Sequence, residues 1–204
     1  MPLHFKAGSG SKEFQSLPAG SHILICNLVA YMGLQPGSKM YPDPKHKLYI
    51  RWEAPEELMS DGRPYVIGKK FTASMHEKAN LRILLEGWRG KRFSDAEAEQ
   101  FDVSTILGKA GMGNVVENEA GYMNLAAMSP LPKGVSAGKA RNELVCYMED
   151  DRSQFDSLPE WLQKEIESQL LKKAPPKVET DQFITDAESE FADSMHITDE
   201  DIPF

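Results

Sequence analysis

Long apolar runs are missing from this chain, and no stretch of its 204 residues approaches the roughly 18 apolar residues of a membrane span. The first residues, Met1-Pro-Leu-His-Phe-Lys, lack the apolar centre of a secretory signal, so the cytoplasm is the expected compartment. Cysteine is scarce: Cys26 and Cys146 are the only two, and neither has the close Cys or His neighbours of a zinc site. Buried thiols in a reducing cytoplasm are expected, with a disulfide left open. The five histidines include no His-x-x-x-His pair, and no acid pair, Ser/His or Cys/His set stands out as catalytic. Gly108-Lys-Ala-Gly-Met-Gly113 has no Gly-Lys-Ser/Thr after it and is not Gly-x-Gly-x-x-Gly behind a strand. It reads as a flexible turn into a strand. Nuclease and nucleotide-hydrolase chemistry are therefore disfavoured, and a non-enzymatic protein with no metal and no cofactor is expected.

What is present is charge, unevenly placed. The formal net charge is −8, with 23 bases and 31 acids. From Ala174 to Phe204 a single base, Lys177, faces nine acids, so this segment alone carries −8 and residues 1–173 hold 22 of each sign. Residues 1–142 hold 18 bases and 14 acids, net +4. A mildly basic body thus carries a strongly acidic tail.

The body reads as α+β, mainly β with helices. His22–Met32 is an apolar, β-branched run, and Lys47–Glu53 alternates Leu48, Ile50 and Trp52 with Lys47, Tyr49 and Arg51. A third strand is expected near Tyr65–Ser74. Glu77–Trp88 carries Leu81, Leu84, Leu85 and Trp88 at helical spacing, and Gly87 and Gly90 mark its end. Ser94 and Glu97 cap a further helix to about Leu107. Strands follow around Val115-Val116, over Tyr122–Met128 after the turn Glu119-Ala120-Gly121, and at Leu144–Met148. Three strands, a helix and two strands is the order of an OB-fold five-stranded barrel. Residues 1–150 are expected to form that domain and residues 151–173 a linker and C-terminal helix. In the helix Ser157 and Glu160 have capping-box spacing, and Trp161, Leu162, Ile166, Leu170 and Leu171 share the docked face. Residues 174–204 cannot bury enough to fold alone and are expected to stay disordered. The three tryptophans, Trp52, Trp88 and Trp161, take packing positions, and the ten methionines read as core filler.

The tail ends Asp199-Glu200-Asp201-Ile202-Pro203-Phe204. An anionic arm tipped by two apolar side chains suits an apolar pocket rimmed by Lys and Arg, where Phe204 and the terminal carboxylate dock together. A merely solubilising tail needs no apolar tip. In this ending the sequence resembles the bacterial single-stranded DNA-binding protein (SSB) family, whose acidic tails close on Ile-Pro-Phe and dock on replication, recombination and repair proteins. The body is similar to bacteriophage-encoded proteins of this kind through Leu81–Lys91 and Phe101–Gly108. The resemblance implies a protein that coats exposed single strands during DNA replication, recombination or repair, in a bacterial host cytoplasm if viral, and recruits partners through residues 199–204. It implies no membrane role, and a homo-oligomer is compatible with it.

Sequence-blind binding of a single strand needs cations for phosphates and flat rings for bases. Lys47, Tyr49 and Arg51 supply both on the non-core face of one strand, and Lys69, Lys70 and Phe71 add to them from the next. In an OB-fold the second and third strands form the usual oligonucleotide face. Lys39 to Arg92 contains 12 bases against seven acids. Tyr31 and Tyr122 are further stacking candidates, and Arg89 a phosphate contact. Each has a plainer account: a strand aromatic, a solvated sheet face, or a cation offsetting a helix dipole. An adaptor whose tail binds a replication protein while its body binds protein rather than DNA remains the alternative.

Overall fold

The computed structural model describes residues 15–37, 42–148 and 151–169. Its elements in chain order are β1 (Gly20–Gln35), β2 (Lys45–Leu58), β3 (Pro64–Thr72), α1 (Asn80–Arg89), α2 (Asp95–Glu99), β4 (Ala110–Glu117), β5 (Met123–Ser129), β6 (Val145–Tyr147) and α3 (Glu160–Glu167). Two 3-10 turns cover Val103–Ile106 and Arg152–Ser157. The fold is mainly antiparallel β-sheet with a few helices. Strand order is β3-β2-β1-β4-β5, and β6 pairs parallel to β1. The described residues belong to one compact unit, and residues 173–204 lie outside them.

β1 explains how one strand serves two cores. Its register with β2 slips between Cys26 and Leu28 and again between Tyr31 and Gly33. A bulge reverses the alternation of side chains beyond it. Leu24 and Cys26 lie in an inner cluster with Val29, whereas Leu28, Ala30 and Met32 face an outer one. The continuous apolar run is thus the mark of a strand buried on both sides. The inner cluster includes Leu48, Ile50, Trp52, Ile67, Phe71, Val115 and Leu125, closed by Leu81, Leu84, Leu85 and Trp88 of α1. The outer cluster joins β1 to Val145 and Tyr147 of β6, Phe155, Leu158, and Leu162 and Ile166 of α3. Fully burying one such aliphatic chain stabilises by about 1.5–3 kcal/mol.

Several sequence expectations change. The sheet is open: among the described residues no strand ladder joins β3 to β5, and α1 packs against both. The Lys69 ammonium reaches across this gap to donate to the Leu125 carbonyl at 2.7 Å. Of the Gly-rich run only Gly108 lies in the expected turn, at φ 73°, and Ala110–Gly113 already belongs to β4. A side chain at Gly111 would collide with the Trp88 indole and one at Gly113 with Leu24, so small residues are needed for close packing. The Ser94–Glu97 capping box forms, but its helix ends at Glu99, and Asp102 then caps a separate 3-10 turn. Ser157 caps nothing at α3, whose N-cap is Pro159 with no side-chain bond. Gly90 ends α1 in the left-handed region at φ 69°, the conformation only glycine adopts cheaply. Trp161 is 44% exposed rather than packed inward. Leu170 and Leu171 lie outside the described residues. Among the described residues no helix is long and apolar enough to cross a membrane.

Candidate nucleic-acid interface

The outer face of β2 and β3 carries the stripe that alternation predicts. Register pairs Lys47 with Thr72, Tyr49 with Lys70 and Arg51 with Gly68. The Lys47 ammonium donates to Thr72 Oγ1 at 3.1 Å. Tyr49 lies over Gly68, where any side chain would strike its ring. It is half-buried against the outer cluster, and burial pushes its phenol above the ordinary value, with Arg51 opposing. Arg51 is half-buried too. Its Nε donates to Asn27 Oδ1 at 3.1 Å, and desolvation pushes the guanidinium below its ordinary value while Tyr49, Glu53 and Cys26 oppose.

α3 lies over part of this stripe. Trp161 meets Tyr49 edge to face, with centroids 5.1 Å apart at 88°. Lys70 Nζ stands 5.3 Å from the Trp161 ring centroid and bonds both Glu165 oxygens at 2.5 and 2.6 Å. The stripe is therefore not the bare solvent face expected of it.

Two clefts open beside the stripe. One, of about 540 Å³, is lined by Lys45, Lys47, Lys69, Lys70 and Lys78, together with Phe71, His76 and the start of α1. The other, of about 500 Å³, lies between Tyr49, Arg51, Gly68, Arg63 and Trp161. Arg63 is exposed and pairs with Asp61 at 2.6 Å. The first cleft concentrates positive charge, and the second pairs two rings with two guanidinium groups.

Phe71 and Lys69 reach the first cleft from the inward face of β3, and the other candidates scatter. Phe71 is a core residue, 3% exposed, because it points to the opposite face from Lys70. Lys69 shares that inward face. Its bond to Leu125 occupies it, and burial pushes its ammonium below the ordinary value. Tyr31 stacks on His46 with centroids 5.9 Å apart, and its hydroxyl bonds His46 Nδ1. Tyr122 is 71% exposed in the β4–β5 turn, next in chain to Met123, which lines the second cleft. Arg89 stands 4.2 Å over the Phe93 ring and pairs with Glu97 at 3.2 Å, facing a separate, largely apolar cleft of about 700 Å³. Residues 199–204 lie outside the described residues.

Sequence reasoning missed Lys45, Lys78, Arg63 and Trp161 as lining residues. Lys45 was legible, since it continues the alternation of Lys47, Tyr49 and Arg51. The others come from loops and a helix that only folding brings near. Glu53 was missed as well. Fully buried, it accepts from Asn27 Nδ2 at 3.2 Å and from the backbone N–H groups of Arg141 and Asn142, pinning that loop to the sheet. Among the described residues no three His, Cys, Asp or Glu side chains group closely enough to hold a metal ion. Comparison with known proteins finds no matching family model, no matching curated protein and no matching solved structure.

Proposed function

We propose that this protein binds single-stranded DNA along the β2–β3 face and the lysine cleft beside it. The observation that carries the reading is the gathering of Lys45, Lys47, Lys70 and Lys78 around one cleft next to the Tyr49 and Trp161 rings. Phosphates need the cations, bases need the rings, and a flexible single strand can follow a groove supplying both. The strand order β3-β2-β1-β4-β5, with a helix between β3 and β4, supports an OB-type body whose second and third strands bind oligonucleotide. In this reading the protein coats exposed strands in a bacterial cytoplasm, and the Asp199–Phe204 segment recruits replication, recombination or repair enzymes.

Fluorescence anisotropy of a labelled oligothymidine tests the reading. Binding should exceed that of duplex and weaken as salt rises. Replacing Lys47 and Lys78 together by Glu should weaken it further and flatten the salt dependence, because each lost phosphate contact removes about 0.7 from the slope. Equal binding of duplex, or none at low salt, would reject the reading and leave the body as a protein-binding surface.

A further inference from the structure

Trp161 is an odd residue for a packing role. Of the three tryptophans, Trp52 is 0% exposed and Trp88 7%, whereas Trp161 leaves 44% of its surface open. Its helix does not need it as an anchor, because Leu162 and Ile166, 0% and 2% exposed, already tie α3 to the outer cluster. The indole borders the cleft that also holds Tyr49, Arg51 and Arg63. Tyr49 props it edge-on and Lys70 stands over its ring.

We propose that this cleft is a nucleobase subsite in which a base of the single strand stacks on Trp161, a residue supplied by α3 and not by the strands, while Arg63 meets the adjoining phosphate. The proposal rests on the single-stranded DNA reading and assigns it a specific ring. A stacking platform should be rigid, partly open and beside cations. Trp161 meets all three conditions: it is fixed by Tyr49 at 5.1 Å, 44% exposed, and 5.3 Å from Lys70. Arg63 is held at the cleft mouth by Asp61, an exposed pair that a phosphate can replace as partner.

Because the other two tryptophans are buried, quenching of the full-length protein's emission by a stacked base reports on this one ring. Saturating oligothymidine should quench part of the wild-type tryptophan emission, whereas Trp161→Phe should lose that response while anisotropy still records binding. Trp161→Ala should bind about tenfold or more weakly, the effect of one lost stack. This loss should persist at high salt, where a lost phosphate contact would fade. Quenching that survives in Trp161→Phe, or wild-type affinity in Trp161→Ala with circular dichroism unchanged, overturns the subsite and leaves the ring as a brace for Tyr49. Failure of the wild type to bind the labelled oligothymidine overturns the DNA reading itself, and the subsite with it.

Discussion

The inner and outer faces of β2 begin from the same alternation and end differently. On the inner face Leu48, Ile50 and Trp52 meet other apolar residues from β1, β3 and α1, and all three are essentially closed to solvent. On the outer face the sheet is divided. Its β1 side, through Leu28, Ala30 and Met32, is sealed under α3 and β6, while its β2–β3 side keeps Lys47, Arg51 and Lys70 partly open. Tyr49 sits on the boundary, half in the outer cluster and half beneath Trp161. Alternation thus sorts side chains into two faces, but what later elements lay over each face decides which becomes core and which a surface.

The largest contrast should appear between the two thiols, which differ in burial although β6 pairs Cys146 with the inner-facing Val29. Burial pushes Cys26 on the inner side up to about 12, while Cys146 of β6 is raised by a smaller burial and by Asp102 and Asp151. The thiolate is the reactive form, and three pH units correspond to roughly a thousandfold less of it. At pH 8 a disulfide reagent should modify Cys146 first and Cys26 only as the protein opens. Because the folded thiol's pKa lies above its ordinary 9.0, its contribution to stability holds below that pH and is lost as pH climbs toward 12. Two equally fast thiols would mean that the inner side is not sealed.

Leu162→Ala asks whether the outer cluster is a core at all. Its side chain is 0% exposed, and such truncations cost about 2–5 kcal/mol, approaching the roughly 3–5 kcal/mol expected of Trp52→Ala inside. Denaturant unfolding measures both. A loss below about 1 kcal/mol for Leu162→Ala would reduce α3 to a loosely attached arm.

Glu53→Gln sharpens the comparison within the outer face. The carboxylate loses its charge but keeps its shape, and charged acceptors of backbone N–H groups are worth about 1.5–3 kcal/mol. Thermal unfolding should record the loss, and amide exchange at Arg141 and Asn142 should accelerate. Unchanged exchange there would show that the loop is held by other contacts.

Glu165→Gln should have the smallest effect. Its pair with Lys70 is partly exposed, at 30% and 44% of the two side chains, and such pairs contribute about 0–1 kcal/mol. Stability should barely move, while affinity for single-stranded DNA at low salt should rise as Lys70 is released. A large loss of stability would place Lys70 in the scaffold rather than in the binding surface.

Legibility in the sequence followed locality. The period-two pattern over residues 47–53 marked both faces of β2, and the 3.6-residue spacing of Leu81, Leu84, Leu85 and Trp88 marked the buried side of α1. The Ser94–Glu97 box marked one helix start, because capping joins residues three apart. Adjacent residues on β3 were another matter. Lys69, Lys70 and Phe71 were expected to act together, yet a strand sends neighbours to opposite faces, so only Lys70 joins Tyr49.

The sequence by itself determined the alternating strands, the amphipathic α1 and the separation of a near-neutral body from an acidic tail, since each depends on residues close in the chain or on composition. Only the tertiary structure decided that the apolar run of β1 serves two cores, because a bulge reverses its side chains and no local propensity announces that reversal. It alone decided that Glu53 is sealed beneath a loop 88 residues away. It also laid α3 over Tyr49 and Lys70 while leaving Trp161 open. These are contacts between distant segments, selected by which surfaces can be buried together, and such a choice exists only once the chain has folded.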